Sequence, residues 1–145
     1  MTQNFSLKYS KIIARILIGF VFFVNIQAGF DFYFHPQKYS YAYELIGIPG
    51  NIAISGFGLL FLMWNIPYAF AFWNPTKHWI SLIQAVMMQL IGCIGEIALI
   101  FRIPENQYLL LRSSMLRFIL FDSVGLLLLL IAFFLTKYAK NSLLK

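Results

Sequence analysis

Four long apolar runs, separated by short polar or aromatic stretches, set the pattern of this chain. The third, residues 80–101 (ISLIQAVMMQLIGCIGEIALIF), is the most informative. Its 22 residues, at about 1.5 Å each on a helix, match a hydrocarbon core of about 30 Å. On that helix Ser81, Ala85, Gln89, Gly92 and Glu96 recur at steps of three and four, so small and polar residues share one stripe and leucine and isoleucine take the rest. In lipid the stripe must face protein or a water-filled crevice, because a carboxylate or amide among acyl tails is costly.

The other runs predict three more helices. Residues 11–30 start with Lys11 and carry Asn25 and Gln27 near the far end, with Asp31 just beyond. A basic start before an apolar middle also opens a secretory signal. Here Ile26 stands three before the only cut, after Ala28, where a small residue is needed, so the helix is expected to stay. Residues 51–73 form the second helix, with Gly56 and Gly58 allowing close approach and Asn65 and Pro67 kinking its second half. Residues 113–135 form the fourth, holding Arg117 and Asp122 ahead of a leucine stretch, 126–130.

The links are as telling. Between the first two helices, residues 31–50 gather Tyr33, Tyr39, Tyr41 and Tyr43 with His35, Pro36 and Pro49, which predicts a connector lying along a membrane interface. The NPTKH link, 74–78, is too short for anything but a tight turn, and residues 102–112 make the last connector. Residues 1–10 and 137–145 are expected to fray. The fold class is all-α: one domain, 1–145, an up-down antiparallel bundle of four transmembrane helices with an interfacial aromatic connector between helices 1 and 2.

Composition agrees. The chain is 61% hydrophobic and 11% charged with mean hydropathy +0.77, against about 25% charged for soluble domains. Its net charge of +6 does not point to nucleic acid, because the cations stand at the ends of apolar runs rather than in a basic stripe with interleaved aromatics. Lone Cys93 excludes an intramolecular disulfide or a CxxC pair. His35 and His78 should end on opposite sides of the membrane, so no metal site is expected. With four spans, Lys8, Lys11, Arg15, Lys77, Lys137, Lys140 and Lys145 share the side of the termini, against Lys38, Arg102, Arg112 and Arg117 opposite. That bias predicts cytoplasmic termini. Asp31, Glu44, Glu96, Glu105 and Asp122 all fall in the half away from the termini.

Helical rise places Glu96 about 7 Å and Arg117 about 6 Å inside the outer boundary, with Asp122 at about 13 Å and Gln89 at about 18 Å, close enough to meet. These depths predict an outer-leaflet polar crevice lined by Asn25, Asp31, Gln89, Glu96, Arg117 and Asp122, beneath a connector bearing His35 and Tyr39. Such groups either glue helices together or serve a ligand. Cys93 reads as packing, because an apolar setting disfavours the thiolate.

Arg15 with Gly19 and Phe20, then Gly29, the aromatic connector with Pro36, and IGIPG at 46–50 resemble the DoxX-like group of small bacterial four-helix membrane proteins. The likeness spans about the first 60 residues. It departs where Gly29 is followed by Phe30, Asp31 and Phe32, and where the second helix has no acidic residue. The resemblance implies a bacterial inner-membrane protein, an accessory subunit of a membrane redox or thiol-handling complex.

The leading expectation is a non-enzymatic accessory subunit or lipophilic-ligand-binding protein, in contact with membrane lipid, as a homo-oligomer or within a larger membrane complex. No cofactor is predicted; lipid or quinone are the ligands such a crevice would suit. The alternative is a small membrane enzyme acting on a lipid or quinone-like substrate, with Glu96, Asp122 or His35 as catalytic candidates: either carboxyl as acid/base, and Arg117 or His35 holding developing charge. A third is an oligomeric permease.

Overall fold

The computed structural model describes residues 2–142, with side chains from residue 7 onward. Among these residues every regular element is helical: α1 (Thr2–Phe34), α2 (Gln37–Ser40), a 3-10 turn (Tyr41–Tyr43), α3 (Gly47–Trp64), α4 (Ile66–Trp73), α5 (Trp79–Ile100) and α6 (Leu109–Asn141). Four stretches are long and apolar enough to cross a membrane: Leu7–Phe34, Gly47–Trp73, Trp79–Ile100 and Leu109–Asn141.

The first and last helices outrun their expected bounds of 11–30 and 113–135. Nothing in residues 2–10 breaks a helix, and Leu7 is buried against the bundle, so α1 begins nine residues earlier than expected. It also takes in Asp31 to Phe34, which belonged to the expected connector, and stops at His35, because the residue before a proline is steered away from helical backbone. At the other end, buried Thr136 and Ala139 hold α6 through Asn141. The tails expected to fray are therefore helical over 2–10 and 137–141. Residue 1 and residues 143–145 of those tails, Lys145 among the counted cations, lie outside the described residues.

The third apolar run forms one uninterrupted helix, α5, while the second is split. Pro67 has no N–H to donate and Asn65 stands at the break. There the Asn65 backbone N–H reaches Phe61 O at 3.1 Å, and its side-chain Nδ2 donates to the same carbonyl at 2.7 Å. The break redirects the chain. Before it, α3 packs on α1; after it, α4 packs on both α1 and α5. The closed core accordingly sits around α4, where Ile18, Tyr68, Ala71, Leu82, Ala85, Leu129 and Ala132 are buried.

Contacts define the two ends. At one, Arg15 Nε donates to Phe72 O, a carbonyl of the last turn of α4, at 3.1 Å, Trp79 stacks on Phe133, and Lys140 lies over the Trp79 ring. At the other, Ser114 Oγ donates to Ala42 O at 2.9 Å, and Glu44 Oε1 accepts the Leu110 N–H at 3.3 Å, supplying a carboxylate to the first turn of α6. The aromatic connector is thereby tied to α6.

Small residues decide how closely α1 and α3 approach. A Cβ on Gly58 would stand 2.6 Å from Tyr33 N and 2.7 Å from Gly29 O, both backbone atoms, whereas one on Gly56 would meet nothing within 4 Å. Of the two glycines expected to admit a neighbour, Gly58 does so. Gly58→Ala is expected to cost about 1–3 kcal/mol through overpacking and to lower the unfolding midpoint in detergent, with Gly56→Ala close to neutral. Thermal unfolding followed by circular dichroism checks this, and equal midpoints for the two variants would refute the tight crossing.

Candidate functional site

Where α3 does not close on α5, a cavity of about 290 Å³ remains. From α1 come Asn25 and Phe32, and from the connector Tyr43. Phe57, Leu60, Phe61 and Trp64 on α3 face Gln89, Gly92, Glu96 and Leu99 on α5, with Met115, Phe118 and Asp122 of α6 completing the wall. Leu60 and Leu99, each about half uncovered by protein, flank the gap between the two helices. The cavity is thus lined by aromatic and aliphatic side chains, with a polar side chain from α1, two from α5 and one from α6 among them: Asn25, Gln89, Glu96 and Asp122.

A relay of hydrogen bonds runs through Gln89 and Asp122. The Tyr68 hydroxyl donates to Gln89 Oε1 at 2.7 Å, lies 3.1 Å from Ala85 O, and Gln89 Nε2 donates to Asp122 Oδ1 at 2.9 Å. Two glycines make this possible. A Cβ on Gly92 would lie 2.6 Å from Asp122 Oδ2, and one on Gly125 would lie 2.9 Å from Gln89 Nε2. The buried amide therefore has its oxygen and one N–H bonded, and it ties α4, α5 and α6 together.

Other groups are left wanting. Asn25 is 3% exposed, yet its Oδ1 has no partner, and Glu96 Oε2 is buried without one. Among the described residues no ion pair reaches Glu96. Arg117, placed by helical rise at the same depth, instead donates from Nη2 to Ser114 Oγ at 3.0 Å and does not line the cavity. Asp31 is also elsewhere. Its Oδ1 meets His35 Nδ1 at 2.9 Å and Lys38 Nζ at 3.6 Å, and its Oδ2 accepts from the Tyr39 hydroxyl. Of the six residues expected to share a crevice, the structure brings together Asn25, Gln89, Glu96 and Asp122. The connector faces the cavity through Tyr43 rather than through His35 and Tyr39. Asp31 departs because α1 runs a turn further than expected, which carries it past the cavity and on to the connector.

Tyr68 and the aromatic wall were not foreseen. A lone tyrosine one residue after a helix-breaking proline was the available signal, because a buried phenol needs a hydrogen-bond partner. Cys93 lies beside Ser123, Sγ to Oγ 3.3 Å, buried between α5 and α6. Among the described residues no group of three or more His, Cys, Asp or Glu is gathered as a metal site would require. No protein-family model matches the chain, and no curated protein or solved structure matches it either.

Two outcomes follow from this geometry. Gly92→Ala is expected to destabilise the protein by about 1–3 kcal/mol, because the new methyl group collides with the Asp122 carboxyl. In an Asp122→Ala background most of that cost should vanish, and a double-mutant cycle on unfolding in detergent reads the coupling. At the connector, burial and then the adjoining Asp31 carboxylate push the Tyr39 phenol up to about 12 from the usual 10.0. The unfolded chain releases that proton first, so the stability Tyr39 contributes is full below about pH 10 and is lost as pH rises towards about 12. A ¹³Cζ-tyrosine resonance titrating near 12 and missing from Tyr39→Phe would establish it; a Tyr39 signal titrating at 10 would not.

Proposed function

We propose that this chain is a four-span membrane protein, neighbouring spans antiparallel, that holds a lipophilic ligand in the cavity between α3 and α5, without itself catalysing a reaction. The observation that carries the reading is the gap itself. α3 and α5 diverge above the break at Asn65, the walls between them are aromatic and aliphatic, and the rim residues Leu60 and Leu99 belong to the surface that lipid would cover. An apolar molecule could pass sideways from the bilayer into such a cavity without crossing water.

Orientation follows from charge. Cations outnumber acids at the end that holds Lys8, Lys11, Arg15, Lys77, Lys137 and Lys140, which favours cytoplasmic termini and an outer-leaflet cavity. A bacterial inner membrane and an accessory place in a larger membrane assembly are what the DoxX-like resemblance favours.

Purification of the full chain in a mild uncharged detergent, followed by organic extraction and mass spectrometry, tests the reading. A near-equimolar lipophile is expected, and it should be depleted from Leu60→Trp/Leu99→Trp, which narrows the opening while leaving the relay untouched. A chain that comes off the column empty, or a ligand retained unchanged by the narrowed variant, would overturn the proposal.

A further inference from the structure

The chemistry of the cavity wall says what kind of head group it suits. None of the lining residues is lysine, arginine or histidine, yet two of them, Glu96 and Asp122, are carboxylic acids. Two buried oxygens in the wall have no partner: Asn25 Oδ1, on a side chain 3% exposed, and Glu96 Oε2. Gln89 offers little, since its oxygen is taken by Tyr68 and its nitrogen is turned to Asp122. Cations outside the cavity are engaged as well, Arg117 with Ser114, Arg112 with Ile103 O at 3.3 Å and Lys38 with Asp31. A ligand ending in a phosphate or carboxylate would bring negative charge against two carboxyl groups with no basic residue in the lining. One ending in a positive nitrogen would meet the open oxygens of Asn25 and Glu96, with the Asp122 carboxyl, already accepting from Gln89, in the same wall.

The apolar lining of the cavity favours the same head. Phe32 stands at its centre, ring centroids 5.8 Å from both Phe61 and Phe118, and Phe118 lies 6.0 Å from Tyr43. These rings pack edge-on or tilted against one another, and a ring face turned to the cavity would attract an organic cation through its quadrupole, more strongly away from water. The gap between α3 and α5 leaves room for a hydrocarbon tail to stay among lipid chains while the head sits inside.

We propose that the cavity binds a lipophilic organic ammonium, its positive head held by Glu96 and Asn25 in the space also lined by Phe32, Phe61 and Phe118, and its tail projecting between α3 and α5. This rests on the lipophile-binding reading above and names the ligand class. It is an equilibrium binding site and involves no covalent step.

The test uses the full-length chain in dodecyl maltoside with tritiated dodecyltrimethylammonium in a scintillation proximity format. Saturable binding is expected, displaced at least tenfold more weakly by the uncharged carbon isostere 2,2-dimethyltetradecane, and more weakly still by dodecyl sulfate. Glu96→Gln, which keeps the side chain's shape, should weaken the cation at least tenfold and leave the isostere unchanged. Equal competition by cation and isostere would overturn the ammonium assignment while leaving the lipophile-binding reading intact, and preferred binding of dodecyl sulfate would overturn it outright. If none of the three binds saturably, the lipophile-binding reading falls too. The comparison among probes is made on the unaltered chain, so it decides the matter even if the variant fails to fold.

Discussion

One hydrogen bond, from Gln89 Nε2 to Asp122 Oδ1, fixes how the second half of the molecule is assembled. In the membrane setting proposed above, two apolar helices would gain little by burying leucine against leucine, so a polar pair at their crossing would do more to choose a register than any stretch of side-chain packing. The pair fits only because Gly92 and Gly125 remove the side chains that would occupy its place. Tyr68 then extends the tie to α4 by donating to the same amide. Three helices thus share one satisfied set of donors and acceptors, and the leucine stretch that follows Asp122 serves as filler on either side.

That tie explains why the cavity lies where it does. α4 is held to α5 through Tyr68, and the break at Asn65 lets α3 leave in a different direction, against α1 at Gly58 and Gly29. A continuous helix in place of α3 and α4 would have to follow one neighbour or the other along its whole length. The proline and its companion asparagine permit both, and the space that opens above the break is the cavity. Asn65 Nδ2 reaches back to the Phe61 carbonyl, so the break leaves that carbonyl doubly bonded.

The helical fold was legible in the sequence because four apolar runs and their punctuation by Pro36, Asn65, Pro67 and Pro75 are one-dimensional signals. Ends were less legible. α1 begins at Thr2 and α6 ends at Asn141 because buried flank residues such as Leu7 and Ala139 pack on neighbours, which hydropathy cannot register. Helical rise brought Gln89 within reach of Asp122, since depth along parallel rods depends only on counting residues. Counting gives no azimuth, which is why Arg117 shared the depth of Glu96 without sharing its face. Asp31 was misjudged for a related reason: it sits on an extra turn of helix, next to partners at positions 35, 38 and 39 that local spacing alone could have supplied.

The aromatic wall shows the same limit from the other side. Phenylalanines on α1, α3 and α6 are scattered through the chain and read individually as bulk turned to lipid, and Phe20, Phe23 and Phe34 are indeed largely uncovered by protein. Phe32, Phe61 and Phe118 differ only in where three helices carry them, to one point beside Asn25 and Glu96. Burying a carboxyl and an amide oxygen next to ring faces, with no cation in the wall, is costly for a bundle that could have placed leucine there. Gln89 and Asp122, which tie helices together, are bonded. Asn25 and Glu96 keep an unbonded buried oxygen, as Asn65 and Thr136 do elsewhere, but only theirs stand in the wall of a cavity large enough to receive a partner.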